Sequence, residues 1–371
     1  MKIAMIGHKR IPSREGGVEI VVEELSKRMV EKGHMVHVYN RKGKHVADKT
    51  KSIKPQKMYH GIRIITVPTI NVKSLDAMLY SFFATIRALF GHYDVIHYHA
   101  EGPCVMILIA HLFRKKTVAT IHGLDWQRAK WGGFATKYLK FGEKVAAKYA
   151  DQVIVLSKNV QKYFKDTYGR DVEYVPNGVN LPTIVEPDII HKKYDLEQGS
   201  YLLFLARIVP EKGLHYLLQA FLKVKTDKKL VIAGGSSHSN DYVEKIQQMA
   251  AKDKRVIMTG FVQGKELEEL FSNCYAYILP SDVEGMPISL LEALSYGRQC
   301  VVSDIDENME VVGELAYHFK KSDVNDLKSV LEQLLKEEKA LDTKAILDQC
   351  AKRFNWDKTT DQYLRLYKKD R

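Results

Sequence analysis

Short apolar runs alternate with amphipathic stretches of helical spacing along this chain, in two series separated by one break. That rhythm constrains the fold more than any other feature. In the first series Lys2–Ile6, Met35–Tyr39, Ile62–Val67, Val95–Tyr98, Thr117–Ile121 and Gln152–Leu156 read as buried strands. Val18–Lys32, Leu75–Phe90, Val105–Phe113 and Phe134–Tyr149 read as the helices between them; Val18, Val21, Val22, Leu25 and Met29 mark one apolar face, and Gly33 ends it. Strands that alternate with helices imply a parallel sheet covered on both faces. The rhythm lapses around Pro176-Asn177-Gly178 and through Leu181–Gly199, then restarts. Strands are predicted at Tyr201–Ala206, Lys229–Ala233, Arg255–Thr259, Ala276–Leu279 and Gln299–Ser303. Their helices are Leu214–Lys223, Asp241–Ala251, Lys265–Phe271, Ile288–Tyr296 and Val324–Glu338. The fold class is therefore α/β: two doubly wound, Rossmann-like domains, 1–180 and 181–355, expected to face one another across a cleft. Open α/β sheets bind ligands beyond the carboxyl ends of their strands.

The charge is divided unevenly between these halves. Residues 1–180 hold 30 Lys and Arg against 15 Asp and Glu, whereas residues 181–371 hold 27 against 30. A basic first half points to an anionic partner: membrane phosphates, nucleic acid or a phosphorylated substrate. No window approaches the roughly 18 consecutive apolar residues of a membrane span. The first residues, MKIAMIG, run straight into a turn with no apolar leader, and the four cysteines (Cys104, Cys274, Cys300, Cys350) are scattered without a CxxC pair. Together these predict a cytoplasmic protein without a zinc site or disulfide framework.

Three strand-to-helix junctions carry candidate chemistry. After the first strand, Gly16 and Gly17 precede a helix, where tandem glycines let backbone amides approach an anion. After the first strand of the second series comes Arg207-Ile-Val-Pro-Glu-Lys212-Gly213. Two cations beside a helix start suit a diphosphate, Arg gripping as a fork and Lys as a point charge. The third junction is Ser281-Asp-Val-Glu284-Gly285-Met286-Pro287-Ile288, with Glu292 in the helix that follows. Pro287 suits a first helical turn, leaving Gly285 and Met286 to present amides. Glu284 and Glu292 are placed roughly 12 Å apart along the axis, at 1.5 Å per residue. That exceeds the about 5–10 Å of paired glycosidase carboxylates, so the two suit separate hydroxyl clusters on one elongated ligand. His97 and His99 share a strand face and read as hydrogen-bonding groups rather than metal ligands; His122-Gly123 ends another strand and could meet a transferred group.

In this order, the Gly16-Gly17 loop, Asp94–His99, His122-Gly123, Val175–Val179, the R-x-x-x-x-K-G loop and the E-x7-E element resemble the family 4 glycosyltransferases over nearly the whole chain. The runs Gly123–Trp131 and Arg353–Asp357 look like a subgroup that builds bacterial surface polysaccharides, including rhamnosyltransferases. The resemblance implies the two-lobed GT-B fold, sugar transfer from a nucleotide donor to a glycan or lipid-linked acceptor, and retention of configuration. It implies that Arg207 and Lys212 hold the donor diphosphate. Glu284 binds the sugar hydroxyls with help from the Gly285–Ile288 amides, and Glu292 the ribose. His122 lies by the transferred sugar, and Gly17 closes on phosphate and acceptor. No metal or other cofactor is implied, and Asp304-Ile305-Asp306 is read as a chance D-x-D. Residues 356–371 are expected to return to the first, acceptor-binding lobe, and the second lobe to bind the nucleotide sugar. The basic lobe is expected to touch an anionic inner leaflet from the cytoplasm. The alternative is a nucleic-acid binder using the same charge, although no recognition motif or interleaved aromatics support it.

Overall fold

Two parallel sheets organise the protein, and the strands that open each one are buried on both sides. The computed structural model describes residues 1–43, 56–70, 72, 75–127, 132–235, 240–337 and 342–369. One unit comprises Met1–Asn177 with Trp356–Arg371, and the other Gly178–Asn355, so the chain divides three residues before the expected 180/181. The first unit contains β1 (Lys2–Ile6), β2 (Met35–Lys42), β3 (Met58–Tyr59), β4 (Ile62–Pro68), β5 (Val95–His99), β6 (Thr117–Ile121), β7 (Gln152–Val155) and β8 (Glu173–Tyr174). They lie in the order β3-β4-β2-β1-β5-β6-β7-β8, all parallel except β3 against β4. The second unit contains β9 (Tyr201–Leu205), β10 (Lys229–Ala233), β11 (Val256–Gly260), β12 (Ala276–Leu279), β13 (Gln299–Ser303) and β14 (Tyr317–Phe319), ordered β11-β10-β9-β12-β13-β14 and all parallel.

Helices α1 (Gly17–Glu31), α2 (Asp76–Leu89), α3 (Glu101–Cys104), α4 (Ile107–Leu112), α5 (Gly133–Tyr149) and α6 (Lys158–Tyr168) connect the first sheet. In the second unit they are α7 (Ile189–Tyr194), α8 (Leu214–Phe221), α9 (Asn240–Ala250), α10 (Lys265–Asn273), α11 (Ile288–Ser295), α12 (Asp306–Val312), α13 (Val324–Lys336) and α14 (Thr343–Arg353). The last helix, α15 (Trp356–Lys368), packs on α1, where Arg28 lies over the Trp356 ring and Lys32 pairs with Asp361 at 2.8 Å.

The strand orders matter for function. After β1 the chain steps one way to β2 and later returns to the other side of β1 at β5; after β9 it steps to β10 and returns at β12. A crevice opens at the carboxyl end of such a reversal, since the loops on either side diverge. In the first unit Gly7 and the end of β5 meet there so closely that a Cβ on Gly7, at φ 126°, would stand 2.1 Å from the His99 carbonyl oxygen. In the second unit the loops after β9 and β12 flank the reversal; these are the two that carry Arg207–Gly213 and Ser281–Ile288.

Some expected boundaries shift. The single helix expected over Val105–Phe113 is two, with α3 starting earlier at Glu101, because Pro103 is tolerated in a first turn. Pro287 is not in the first turn of α11; its ψ of 108° leaves it extended, as the cap residue before Ile288. Of the Glu284–Glu292 span only Ile288–Glu292 is therefore helical, a rise of about 6 Å, and the rest is covered by the loop before α11 instead of by helical rise. The far ends of two expected segments, Glu338 and Arg128–Trp131, lie outside the described residues.

Candidate active site

In the second unit a glycine sets the geometry. Gly213 has φ 66°, and a Cβ there would stand 1.9 Å from the Pro280 carbonyl oxygen, so the loop after β9 lies directly against the loop after β12. The Asp282 amide donates to the Glu211 carbonyl at 2.9 Å, and Tyr216 donates to Asp282 at 3.3 Å. This clamp brings Lys212 Nζ to 2.5 Å from Glu284 Oε1, which also accepts from Ser281 Oγ at 2.6 Å. Both side chains are largely withdrawn from water, Lys212 14% exposed and Glu284 7%. Two residues predicted to serve different parts of a ligand are thus paired with one another. An arriving phosphate would compete with Glu284 for the ammonium, and the carboxylate would gain freedom to accept from a hydroxyl.

Gly213→Ala is expected to destabilise the second unit by at least about 2 kcal/mol, from a left-handed backbone and a collision with backbone that cannot step aside. Urea unfolding of the variant checks it; an unchanged midpoint would show that the two loops are not locked.

Arg207 follows β9 by two residues and is half-buried. Sequence reading missed what supports it. Gly234 packs so tightly on the preceding residue that a Cβ would lie 1.8 Å from the Ala206 carbonyl oxygen, and the Ile208 amide donates to Gly235 at 3.1 Å. Tandem glycines after β10 were the available signal. Glu211 was missed too: it is buried, 6% exposed, with neither carboxylate oxygen in a hydrogen bond. Gly285, Met286, Pro287 and Ile288 are buried at the start of α11, while Glu292 is the half-buried residue of an otherwise apolar turn. Asp304 accepts from the Lys321 amide at 2.8 Å and Asp306 opens α12. Among the described residues no three His, Cys, Asp or Glu side chains come together as a metal site.

In the first unit Gly16 caps α1 in an extended conformation and Gly17 opens it. Behind them the loop is fastened from two sides. Glu19, on α1, accepts from the Lys9 amide at 2.8 Å, and Asn40, near the end of β2, both accepts from the Ile11 amide at 3.1 Å and donates to its carbonyl at 2.8 Å. His8, fully buried, lies with Nε2 3.0 Å from Asn40 Oδ1; burial lowers it to about 4.

His122, 9% exposed beyond β6, has Nε2 3.0 Å from His99 Nδ1. His99 Nε2 is buried without a partner. Were His122 the donor, that nitrogen would be a buried N–H with nothing to accept it, costing about 1–3 kcal/mol. With His99 Nδ1–H donating, only a lone pair is left over. The ring proton of His122 then sits on Nδ1. His97, one pleat before His99, has Nδ1 2.6 Å from Tyr367 OH on α15 and Nε2 2.8 Å from Thr120 Oγ1. Burial holds both His97 and His99 well below the usual imidazole range, and they are neutral hydrogen-bonding groups.

The first unit also buries a carboxyl pair that sequence reading missed. Glu143 of α5 is buried and accepts from Trp126 Nε1 at 3.0 Å, Tyr163 at 2.8 Å and Tyr168 at 2.5 Å. Glu101, fully buried next to it, is pushed up to about 10 by burial and by the nearby Asp125 and Glu143 carboxylates, so it is a neutral acid at pH 7. Glu143 thus ties Trp126, three residues beyond Gly123, to Tyr163 and Tyr168 of its own unit.

Comparison with known proteins agrees along nearly the whole length. The family description "Glycosyltransferase Family 4" matches residues 15–182 and "Glycosyl transferases group 1" matches residues 187–353. An Escherichia coli protein named UDP-Gal:alpha-D-GlcNAc-diphosphoundecaprenol alpha-1,3-galactosyltransferase is 26% identical over 82% of this chain and 84% of its own length. The O-antigen chain mannosyltransferase RfbU of Salmonella typhimurium is 27% identical over 74% of this chain and 77% of its own. Among solved structures, HepE of Anabaena in complex with UDP and glucose superposes with a TM-score of 0.80 at 17% identity, over 98% of each chain. Sucrose-phosphate synthase of Thermosynechococcus elongatus gives 0.81 at 20%, over 99% of this chain and 98% of its own.

Proposed function

Because this chain belongs to the family 4 glycosyltransferases, with their GT-B fold of two Rossmann-like units, we propose that it moves a sugar from a nucleoside-diphosphate donor to a glycan or lipid-linked acceptor in the building of a surface polysaccharide. The observation that carries the reading is the clamp at the second unit's strand reversal, which sets Lys212, five residues after Arg207 in the same loop, against Glu284. Arg207 and Lys212 take the diphosphate and absorb the negative charge that grows as the sugar–oxygen bond breaks, a task needing no metal. Glu284, released from Lys212, accepts from the sugar hydroxyls, with the Gly285–Ile288 segment beside it, and Glu292 binds the ribose. His122 stands by the transferred sugar, and Gly16-Gly17 by the phosphate and acceptor. The new bond forms on the face from which the diphosphate leaves, whose oxygen takes the acceptor's proton, so configuration is retained.

The first unit holds the acceptor and the second the donor. The enzyme works from the cytoplasm, in peripheral contact with the inner face of the membrane; among the described residues no helix is long and apolar enough to cross it. The basic first half is read here as serving that membrane, not a nucleic acid.

Thermal unfolding with UDP, GDP, dTDP and their sugars tests the reading. A ligand at 100 times its Kd adds about 2.7 kcal/mol of stability. One nucleotide should raise the wild-type Tm, and Arg207→Ala should lose that rise while its Tm without nucleotide stays near wild type. An undiminished rise in Arg207→Ala would remove Arg207 from the diphosphate site.

A further inference from the structure

Helices α2, α4 and α5 lie side by side on one flank of the first unit's sheet. Their inner stripes, such as Ala84, Ala110 and Ala146, are in the core, as an amphipathic helix requires. Their outer sides break the usual rule that the remaining face is polar. Phe90 is 78% exposed, Leu112 79% and Phe134 70%, with Phe113 and Phe141 about half exposed. Exposed cations belong to the same flank: Arg114 just beyond α4, and Lys137, Lys140, Lys144 and Lys148 along α5, with Lys140 over the Trp126 ring and Lys148 over that of Tyr149. No carboxylate of the three helices opposes the four lysines, since Asp76 is paired with Arg41 and Glu143 is buried.

We propose that this α2–α4–α5 flank is a membrane-docking face that seats the enzyme on an anionic lipid bilayer, its aromatic and leucine side chains entering the headgroup layer and its cations meeting lipid phosphates. The proposal deepens the reading of peripheral membrane contact given above by naming the face. Both halves of the pattern are needed for the assignment. Exposed large apolar groups mark a surface meant to leave water, and a lipid interface takes aromatic rings and leucines at its acyl boundary. The cations add about 1 kcal/mol each against anionic lipid. A nucleic-acid backbone would satisfy the lysines but offers nothing to Leu112 or Phe113.

The test uses the full chain, sedimented with large vesicles of phosphatidylcholine with and without phosphatidylglycerol. Wild type should bind the anionic vesicles and bind neutral ones weakly. Neutralising Lys137, Lys140, Lys144 and Lys148 to Gln should lower anionic binding by about fivefold per residue. Leu112→Ser with Phe113→Ser should weaken binding to both vesicle types and persist at high salt, where the lysine effect fades. A Phe141→Trp probe should shift its emission to the blue on binding. Nucleotide-induced Tm shifts should survive in all these variants, which separates failure of this face from failure of the sugar-transfer reading. Absence of vesicle binding, variants that bind as wild type does, or duplex DNA bound in preference to lipid through these lysines would overturn it.

Discussion

Lys212→Met is expected to slow sugar transfer by about 10²–10³-fold, the usual loss when one preorganised electrostatic group is taken from a developing charge. Its ammonium lies 2.5 Å from Glu284 Oε1, and both groups are mostly buried, so the same change leaves a carboxylate without its cation. Breaking one side of a buried pair costs about 3–5 kcal/mol of stability. Glu284→Gln makes the reciprocal loss and should be similarly destabilised. The two effects part company in the double variant. Lys212→Met with Glu284→Gln removes both charges, so stability should return well above the sum of the single losses, whereas transfer stays as slow as in the worse single variant. Urea midpoints and kcat/KM measured on all four proteins read the two quantities separately. Activity that recovers along with stability would reduce the pair to a fastening between loops. A single Lys212→Met enzyme working at near wild-type rate would remove the lysine from the chemistry.

Acidification from pH 6.5 to 4 is expected to strip stability from the protein through histidines that fold neutral. His8 falls to about 4 through burial, outweighing the Glu19 carboxylate and the bond to Asn40. Above pH 6.5 the ring is neutral in both folded and unfolded chains and makes no difference. Between 6.5 and about 4 the unfolded chain takes up a proton that the native state refuses, so stability falls by about 1.4 kcal/mol per pH unit. That amounts to on the order of 3 kcal/mol from His8 alone, levelling off once the native ring also protonates. His37, held by Tyr93 at 2.7 Å and lowered to about 4 by burial, acts in the same direction, as do His97 and His99. Glu101, neutral in the fold but ionised in the unfolded chain, opposes this with the same slope down to about pH 4.5, so it offsets about one of the four histidines and the net fall remains. Urea midpoints measured against pH, for wild type and His8→Gln, check it. The variant should show a shallower fall by about one proton's worth, and an identical slope in both proteins would clear His8 of the effect.

Much of the architecture was legible because it is written in consecutive residues. Lys2–Ile6 and Tyr201–Leu205 are apolar over the length of a strand, Val18 to Met29 follows helical spacing, and Gly33 stops it; each signal needs only its own neighbours. The strands that escaped notice, β3, β8 and β14, are two or three residues long, too short for a period to show. The candidate site could be nominated from residue types near strand ends, Arg207, Lys212, Glu284 and His122, but its contacts could not. Nothing near Glu143 in the chain announces that two tyrosines and a tryptophan donate to it, and nothing beside Glu101 announces that it is a neutral acid.

By itself, then, the chain's order of residues determined two parallel sheets and the longer helices between their strands, while the helices at Lys158–Tyr168, Ile189–Tyr194, Asp306–Val312 and Thr343–Arg353 escaped notice. Folding in three dimensions alone decided that Lys212 answers to Glu284, 72 positions away, and that His99 donates to His122. It also decided that Tyr367 of the last helix steadies His97, 270 positions earlier. The reason is physical: periodicity and turn formation depend on the next few residues, whereas a pairing between loops depends on strand order. Strand order is settled only when the whole sheet buries its apolar faces at once.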